Sequence, residues 1–148
     1  MLIGIPSILG PDLLATLRAM GHGDEIAVVD GNYPALEHAR RLVRADGHGV
    51  IAVVDAILQL LPVDDFVPQA LFRASVKGDA DALDPIHRAM IAVCEKRAPG
   101  RPLVPLPGEA LYDRIKAAHT IVATSEPSLY GNMIIRKGVI YPERDEAK

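Results

Sequence analysis

The tightest constraint on this chain is a four-residue run, Ile26-Ala27-Val28-Val29, closed on both sides by residues that stop regular structure. Gly21, His22 and Gly23 stand just before it, and Asp30, Gly31 and Pro34 follow it. Four residues are too few for a helix, and their β-branched content suits a buried strand. His22 and Asp30 then stand at opposite ends of that strand, roughly 25 Å apart at full extension from about 3.3 Å per residue. One site that uses both must fold a loop back or draw on a second chain.

The remaining chain is punctuated in the same way. Residues 1–9 are apolar and interrupted by Pro6, which fits a lead-in loop or an edge strand. Pro11 suits a first helical turn, where a missing N–H does no harm. Leu13, Leu14, Leu17 and Met20 follow at helical spacing, and Gly21 is the stop. Arg40 and Arg41 belong to a solvated helix end that runs into a short strand. Residues 50–61 are densely aliphatic with one acid, Asp55, and read as a mostly buried helix ended by Pro62. A strand over 71–76 closes on the turn Lys77-Gly78-Asp79, and Asp84-Pro85 opens a helix with Asp as cap. Ile86, Ala89, Met90, Val93 and Cys94 fall on one face of that helix, which makes Cys94 a small buried hydrophobe. Short strands are expected over 103–106, 120–123 and 132–136, a helix over 109–118, and a frayed polar tail over 142–148. Strands alternating with helices imply one α/β layered domain over residues 1–148 with a largely parallel sheet.

Composition removes several functional classes. The net charge of −3 arises from mixed signs rather than a basic block, which gives no support to nucleic-acid binding. A single cysteine rules out an intrachain disulfide and a multi-cysteine metal site, and suits a reducing cytoplasm. No apolar run approaches the eighteen or so residues of a membrane span, so a soluble protein with no membrane partner is expected.

The chemistry narrows to His22. The five histidines form neither a His-x-His nor a His-Glu-x-x-His pair, so no metal site is expected. There is no Gly-x-Ser-x-Gly elbow and no Walker-type loop. Gly21-His22-Gly23 opens like a dinucleotide fingerprint, yet Ile26 holds the third glycine position and the order is helix then strand. His38, His48, His87 and His119 read as surface or helix-end residues. His22, flanked by glycines, has an uncrowded imidazole, although a histidine that only shapes the turn remains the alternative.

Met20-Gly21-His22-Gly23-Asp24-Glu25-Ile26, with Asp30 and Pro34, resembles the N-terminal signature of the D-ribose pyranase and L-fucose mutarotase family. The likeness continues through Arg44-Ala45-Asp46-Gly47, Val76-Lys77-Gly78-Asp79, Leu83-Asp84-Pro85, Tyr112-Asp113-Arg114, Glu126, Tyr130-Gly131-Asn132 and Lys137-Gly138-Val139. Gly-His-Gly-Asp-Glu and Tyr-Gly-Asn point to the fucose branch. The resemblance implies a three-layer fold and a cofactor-free isomerase that interconverts the α and β anomers of L-fucose or a related monosaccharide. It also implies a ring-shaped homo-oligomer, a decamer of two pentamers, with the sugar at a subunit interface and Tyr130-Gly131-Asn132 coming from a neighbouring chain. A sugar-binding protein of the same fold without catalysis is the alternative.

On that reading His22 is the general acid/base, since histidine's ordinary pKa lets it both take and give a proton near neutrality. Asp30 holds a sugar hydroxyl or orients His22. Tyr130 and Asn132 bind ring hydroxyls, and Gly131 permits close backbone approach. The chain departs from the family at Gly108, where the fucose branch carries an arginine and the ribose branch a histidine. A lost charged donor is worth about 1.5–3 kcal/mol, and Arg44 and Glu109 are the candidate substitutes. Asn32-Tyr33 also differs from the His-Phe usual in the fucose branch, which reshapes the pocket rim.

Overall fold

The computed structural model describes residues 1–143. The tail expected to fray, 142–148, lies outside them except for its first two residues. Eleven elements follow in chain order: α1 (Pro11–Ala19), β1 (Glu25–Val29), α2 (Ala35–His38), β2 (Leu42–Ala45), α3 (Val50–Leu58), β3 (Leu71–Ala74), α4 (Pro85–Arg97), β4 (Leu103–Leu106), α5 (Gly108–Ala117), β5 (Thr120–Thr124) and β6 (Met133–Arg136). Residues 1–9 form the lead-in loop and no edge strand.

One six-stranded sheet in the order β2-β5-β1-β6-β3-β4 holds the domain together. β1 with β5, β2 with β5, and β3 with β4 run parallel. β6 is antiparallel to both of its neighbours, β1 and β3, so the expected parallel sheet carries one reversed strand near its middle. The reason is connection length. Only residues 125–132 link β5 to β6, too few for a helical crossover, so the chain must come back in the opposite sense.

Alternation along the strands builds two cores. Ile26, Val28, Met133 and Ile135 face α1, α3 and α4, packing on Leu13, Leu17, Val53, Ile57, Met90 and Val93. Ala27, Val29, Ile121 and Ile134 face the other way, onto Leu111 and Ile115 of α5. The result is helices, sheet, helices, the expected three layers. Cys94 is buried, and burial pushes its thiol up to about 11, so it packs as a hydrophobe. Asp55, the lone acid of α3, accepts from Arg97 Nε of α4 at 2.7 Å. Among the described residues no helix is long and apolar enough to cross a membrane.

Candidate active site

The parallel strands β1, β3, β4 and β5 all end at one edge of the sheet, and reversed β6 begins there. Loops leaving carboxyl ends are free to converge around a ligand, because the strand backbone below them is already satisfied. A cleft of about 790 Å³ opens at this edge. Asp30 follows β1, Ser75 follows β3, Gly108 and Glu109 follow β4, and Asn132 precedes β6; all line it.

Loop 125–132 passes over the end of β1 to join its non-adjacent neighbours β5 and β6, which brings Tyr130-Gly131-Asn132 onto Asp30. Gly131 N–H donates to Asp30 Oδ2 at 3.1 Å, and Asp30 N–H donates to Asn132 Oδ1 at 2.9 Å. Gly31 N–H donates to the Glu126 carbonyl at 2.9 Å. A Cβ on Gly131 would lie 3.2 Å from Asp30 Cβ and 3.1 Å from Glu126 Cγ, so the close approach expected there is real. Glu126 anchors the loop from below. Its Oε2 accepts from Val50 N–H at the start of α3, and its Oε1 from Ser128 N–H, both at 3.2 Å. Gly49 is glycine for the same reason, because a Cβ there would lie 2.8 Å from Glu126 Oε2.

His87 supports the loop as well. It is completely buried, not a surface residue. Its Nδ1 accepts from Asp84 N–H at 3.1 Å, so Nε2 carries the hydrogen and donates to the Tyr130 carbonyl at 3.0 Å. Burial lowers its pKa from the ordinary 6.5 and keeps the ring neutral. Above it Tyr130 holds φ +56°. Lys77, across the cleft, holds φ +50°, and these are the two non-glycine residues with positive φ among the described residues. Strained backbone of this kind persists where surrounding contacts enforce it, commonly at binding sites.

Aromatic rings make the cleft's far wall. Tyr33 is buried and stands edge-on to Tyr112 with centroids 5.1 Å apart. Its hydroxyl lies 2.8 Å from His38 Nδ1, within hydrogen-bond distance. Burial, then the neighbouring Tyr112, pushes the Tyr33 phenol well above its ordinary range, so it stays protonated. Gly108 leaves open space, with nothing within 4 Å of where a Cβ would stand.

His22 lies at the other edge, before β1 begins. Its Nε2 meets Asp64 Oδ1 at 3.0 Å, and Phe66 stands edge-on to its ring at 4.6 Å. Arg136, at the end of β6, donates Nε to Asp64 Oδ2 at 2.8 Å. Thus Asp30, Tyr130, Gly131 and Asn132 already meet inside one chain. His22 is the residue set apart. Arg44 does not join the cleft either; it stands exposed on edge strand β2 and forks onto Asp46 at 2.9 Å through Nε and Nη2. Glu109 does line the cleft. Among the described residues no three His, Cys, Asp or Glu side chains are grouped to hold a metal.

Residues 3–140 match the RbsD / FucU transport protein family. The chain belongs to this family. Fucose mutarotases of Bos taurus and Homo sapiens are 38% and 37% identical to it, over 97% and 93% of both chains respectively. Among solved structures, a Streptococcus pneumoniae fucose mutarotase in complex with L-fucose is 39% identical and superposes with a TM-score of 0.88, covering 95% of this chain and all of that one. Bacillus subtilis RbsD complexed with D-ribose, at 18% identity and TM-score 0.71, covers 90% of this chain and 95% of its own and shares the fold.

Within this RbsD/FucU chain, several supporting residues escape sequence reasoning. Asp64 has no local signal, because its partners His22 and Arg136 lie 42 and 72 residues away. Tyr33 carried only a family difference, and its contacts with His38 and Tyr112 come from folding. His87 did have one. A polar residue at the third position after an Asp-Pro helix start is the spacing of a reciprocal cap.

Proposed function

We propose that this protein is a cofactor-independent L-fucose mutarotase that opens and recloses the sugar ring by acid/base catalysis. Similarity to fucose mutarotases over more than nine-tenths of both chains carries the reading. Ring opening takes a proton from the anomeric hydroxyl and returns one to the ring oxygen. His22 handles those protons, Asp30 and Asn132 hold sugar hydroxyls, and the Tyr130-Gly131 backbone shapes the floor beneath them. Glu109 serves as a rim contact beside the space left by Gly108.

The separation of His22 from the cleft favours a site shared between subunits. A homo-oligomer, a decamer of two pentamers in the family's manner, would bring the His22 edge of one chain to the carboxyl-edge cleft of the next. Exposed Phe66 beside His22 and exposed Leu129 at the cleft are apolar surface available for that contact. A cytoplasmic location suits the single buried thiol.

Exchange NMR of the anomeric protons tests this with L-fucose, D-ribose, D-galactose and D-arabinose. Accelerated α/β exchange of L-fucose that disappears in His22→Ala is the expected result. The open space at Gly108 favours one second reading, a monosaccharide-binding protein without catalysis. Calorimetric binding with exchange at the buffer rate would establish that reading instead.

A further inference from the structure

The following inference deepens the proposed function and rests on the carboxyl-edge cleft being the sugar site. Arg73, on β3, is 3% exposed, yet among the described residues its guanidinium pairs with no carboxylate. Nη1 donates to the Ala74 carbonyl and Nη2 to the Ala80 carbonyl, both at 3.0 Å. Burial works against the charge, but an arginine stays charged at any pH a protein meets. A buried charge held by carbonyls alone costs stability, so packing does not account for its presence. Its two acceptors do. Ala74 ends β3 and Ala80 lies beyond the next turn, so the guanidinium ties together the two ends of segment 74–80.

That segment carries Lys77 to the cleft. Asp79 N–H donates to the Val76 carbonyl at 2.8 Å, and φ is positive at both central residues of this turn, +50° at Lys77 and +77° at Gly78. Turns with that pair of signs favour Asn, Asp or Gly at the first central position, where a lysine has no backbone advantage. The residue there is kept for its side chain, which is exposed and forms no ion pair among the described residues. Tyr130, the cleft's other strained residue, is held from behind in the same manner. Its carbonyl accepts from His87, which burial, and after it the Arg73 charge, keeps neutral. One buried polar layer therefore backs both left-handed residues, with Arg73 behind the Lys77 turn and His87 behind Tyr130.

We propose that Lys77 is a sugar-binding residue and Arg73 its positioning residue: the buried guanidinium fixes the turn so that the Lys77 ammonium donates to a hydroxyl oxygen of the bound monosaccharide. The chemistry of the cleft calls for such a donor. The Asp30 and Glu109 side chains, as carboxylates, only accept, so they take the hydrogens of sugar hydroxyls and leave the hydroxyl oxygens unserved. Lys77 offers three donors and no acceptor. Lys116 also lines the cleft, but it stands on regular helix α5, where no strained backbone has to be enforced. The Lys77 contact lies on a hydroxyl rather than on the breaking bond. It is equally strong before and during ring opening, so its loss weakens binding without slowing the bound sugar.

Anomer-exchange kinetics with L-fucose on Lys77→Ala, Arg73→Met and the double variant test this. Lys77→Ala should raise KM about tenfold or more, the scale of a lost hydrogen bond from a charged donor, while kcat moves less than about threefold. Arg73→Met should raise KM to a similar extent. The double variant should be no worse than the weaker single one, because Arg73 acts through Lys77. Effects that multiply in the double variant would overturn the positioning role, since an arginine that merely supports the fold acts independently of the lysine. If Arg73→Met fails to fold, Arg73→Lys takes its place in the cycle, keeping the charge but losing the planar fork that spans two carbonyls. Lys77 stands in an exposed turn, and an unchanged KM in Lys77→Ala would overturn the whole inference while the wild type remains a mutarotase. Wild-type protein that leaves L-fucose at the buffer rate would instead overturn the functional reading itself.

Discussion

The two ends of β1 make opposite use of the same sheet. At the carboxyl end four elements deliver loops to one cleft, and most of its polar groups are tied to backbone: Asp30 to Gly131 and Asn132, Glu126 to Val50, His87 to Tyr130. At the amino end one partly exposed imidazole rests on buried Asp64, whose carboxylate pairs with partly exposed Arg136. The first region is a shaped container with strained backbone at Lys77 and Tyr130. The second is a partly exposed imidazole held against a buried carboxylate. On the proposed reading the cleft holds the sugar and His22 supplies the base, and the sheet's length keeps the two apart within one chain.

That complementarity can be broken most severely by separating its halves. His22→Ala and Asp30→Asn should each lower anomer exchange by about 10²-fold or more, since each removes one side of the acid/base and binding machinery. Mixing the two inactive proteins after reversible dissociation should restore about a quarter of the sites on random reassembly, if neighbouring chains complete each site. No recovery in the mixture, with assembly verified by light scattering, would sink the shared-site reading.

The container should depend on its anchor more than on its rim. Glu126→Ala leaves the Val50 and Ser128 N–H groups without a partner and should lower stability by about 1–3 kcal/mol, the usual cost of an unsatisfied buried donor. Loosening loop 125–132 should also raise KM for L-fucose more than it lowers kcat. Chemical denaturation and exchange kinetics read the two effects, and an unchanged KM would mean that the loop does not shape the sugar site.

The two regions should also titrate in different windows. His87 is held neutral below its ordinary 6.5, so the unfolded chain binds that proton more readily than the folded one. Its stability contribution is therefore complete above pH 6.5 and declines as pH falls from there. The Asp64 carboxyl is depressed from 3.8 to about 2, so its contribution is complete above 3.8 and is lost as pH falls toward 2. Denaturation midpoints from pH 8 to 2 should show both steps, with His87→Gln flattening the upper one alone. The smallest effect belongs to Arg44→Ala. Its pair with Asp46 is 60% exposed on both sides, so neither melting temperature nor anomer exchange should change measurably.

Much of this arrangement was legible in advance. The run Ile26–Val29 is the core of β1, Pro11 and Asp84-Pro85 open α1 and α4, and Pro62 follows α3. These are local rules of period, capping and breaking, and local chemistry enforces them wherever the chain goes. His22 and Asp30 were likewise placeable at two strand ends from spacing alone. Other features needed the fold. The short 125–132 link explains why β6 reverses, but nothing near it announces that β6 inserts between β1 and β3 rather than pairing with β5, because a strand's neighbours are set by the tertiary fold. That reversal carries Tyr130-Gly131-Asn132 over Asp30 of the same chain. It also delivers Arg136 to Asp64 at the opposite edge.

What the sequence determined by itself, then, was the set of elements, the apolar faces that bury them, and the polar residues left at their ends. Tertiary structure alone decided which ends meet, and so which carboxylate fixes His22, which loop covers Asp30, and that Arg44 stays outside. The physical reason is range. Helix caps, turns and period act over a few residues, whereas Asp64 with His22 and Asp30 with Asn132 join positions 42 and 102 residues apart. Such contacts exist only once burial of the two aliphatic cores has settled the strand order.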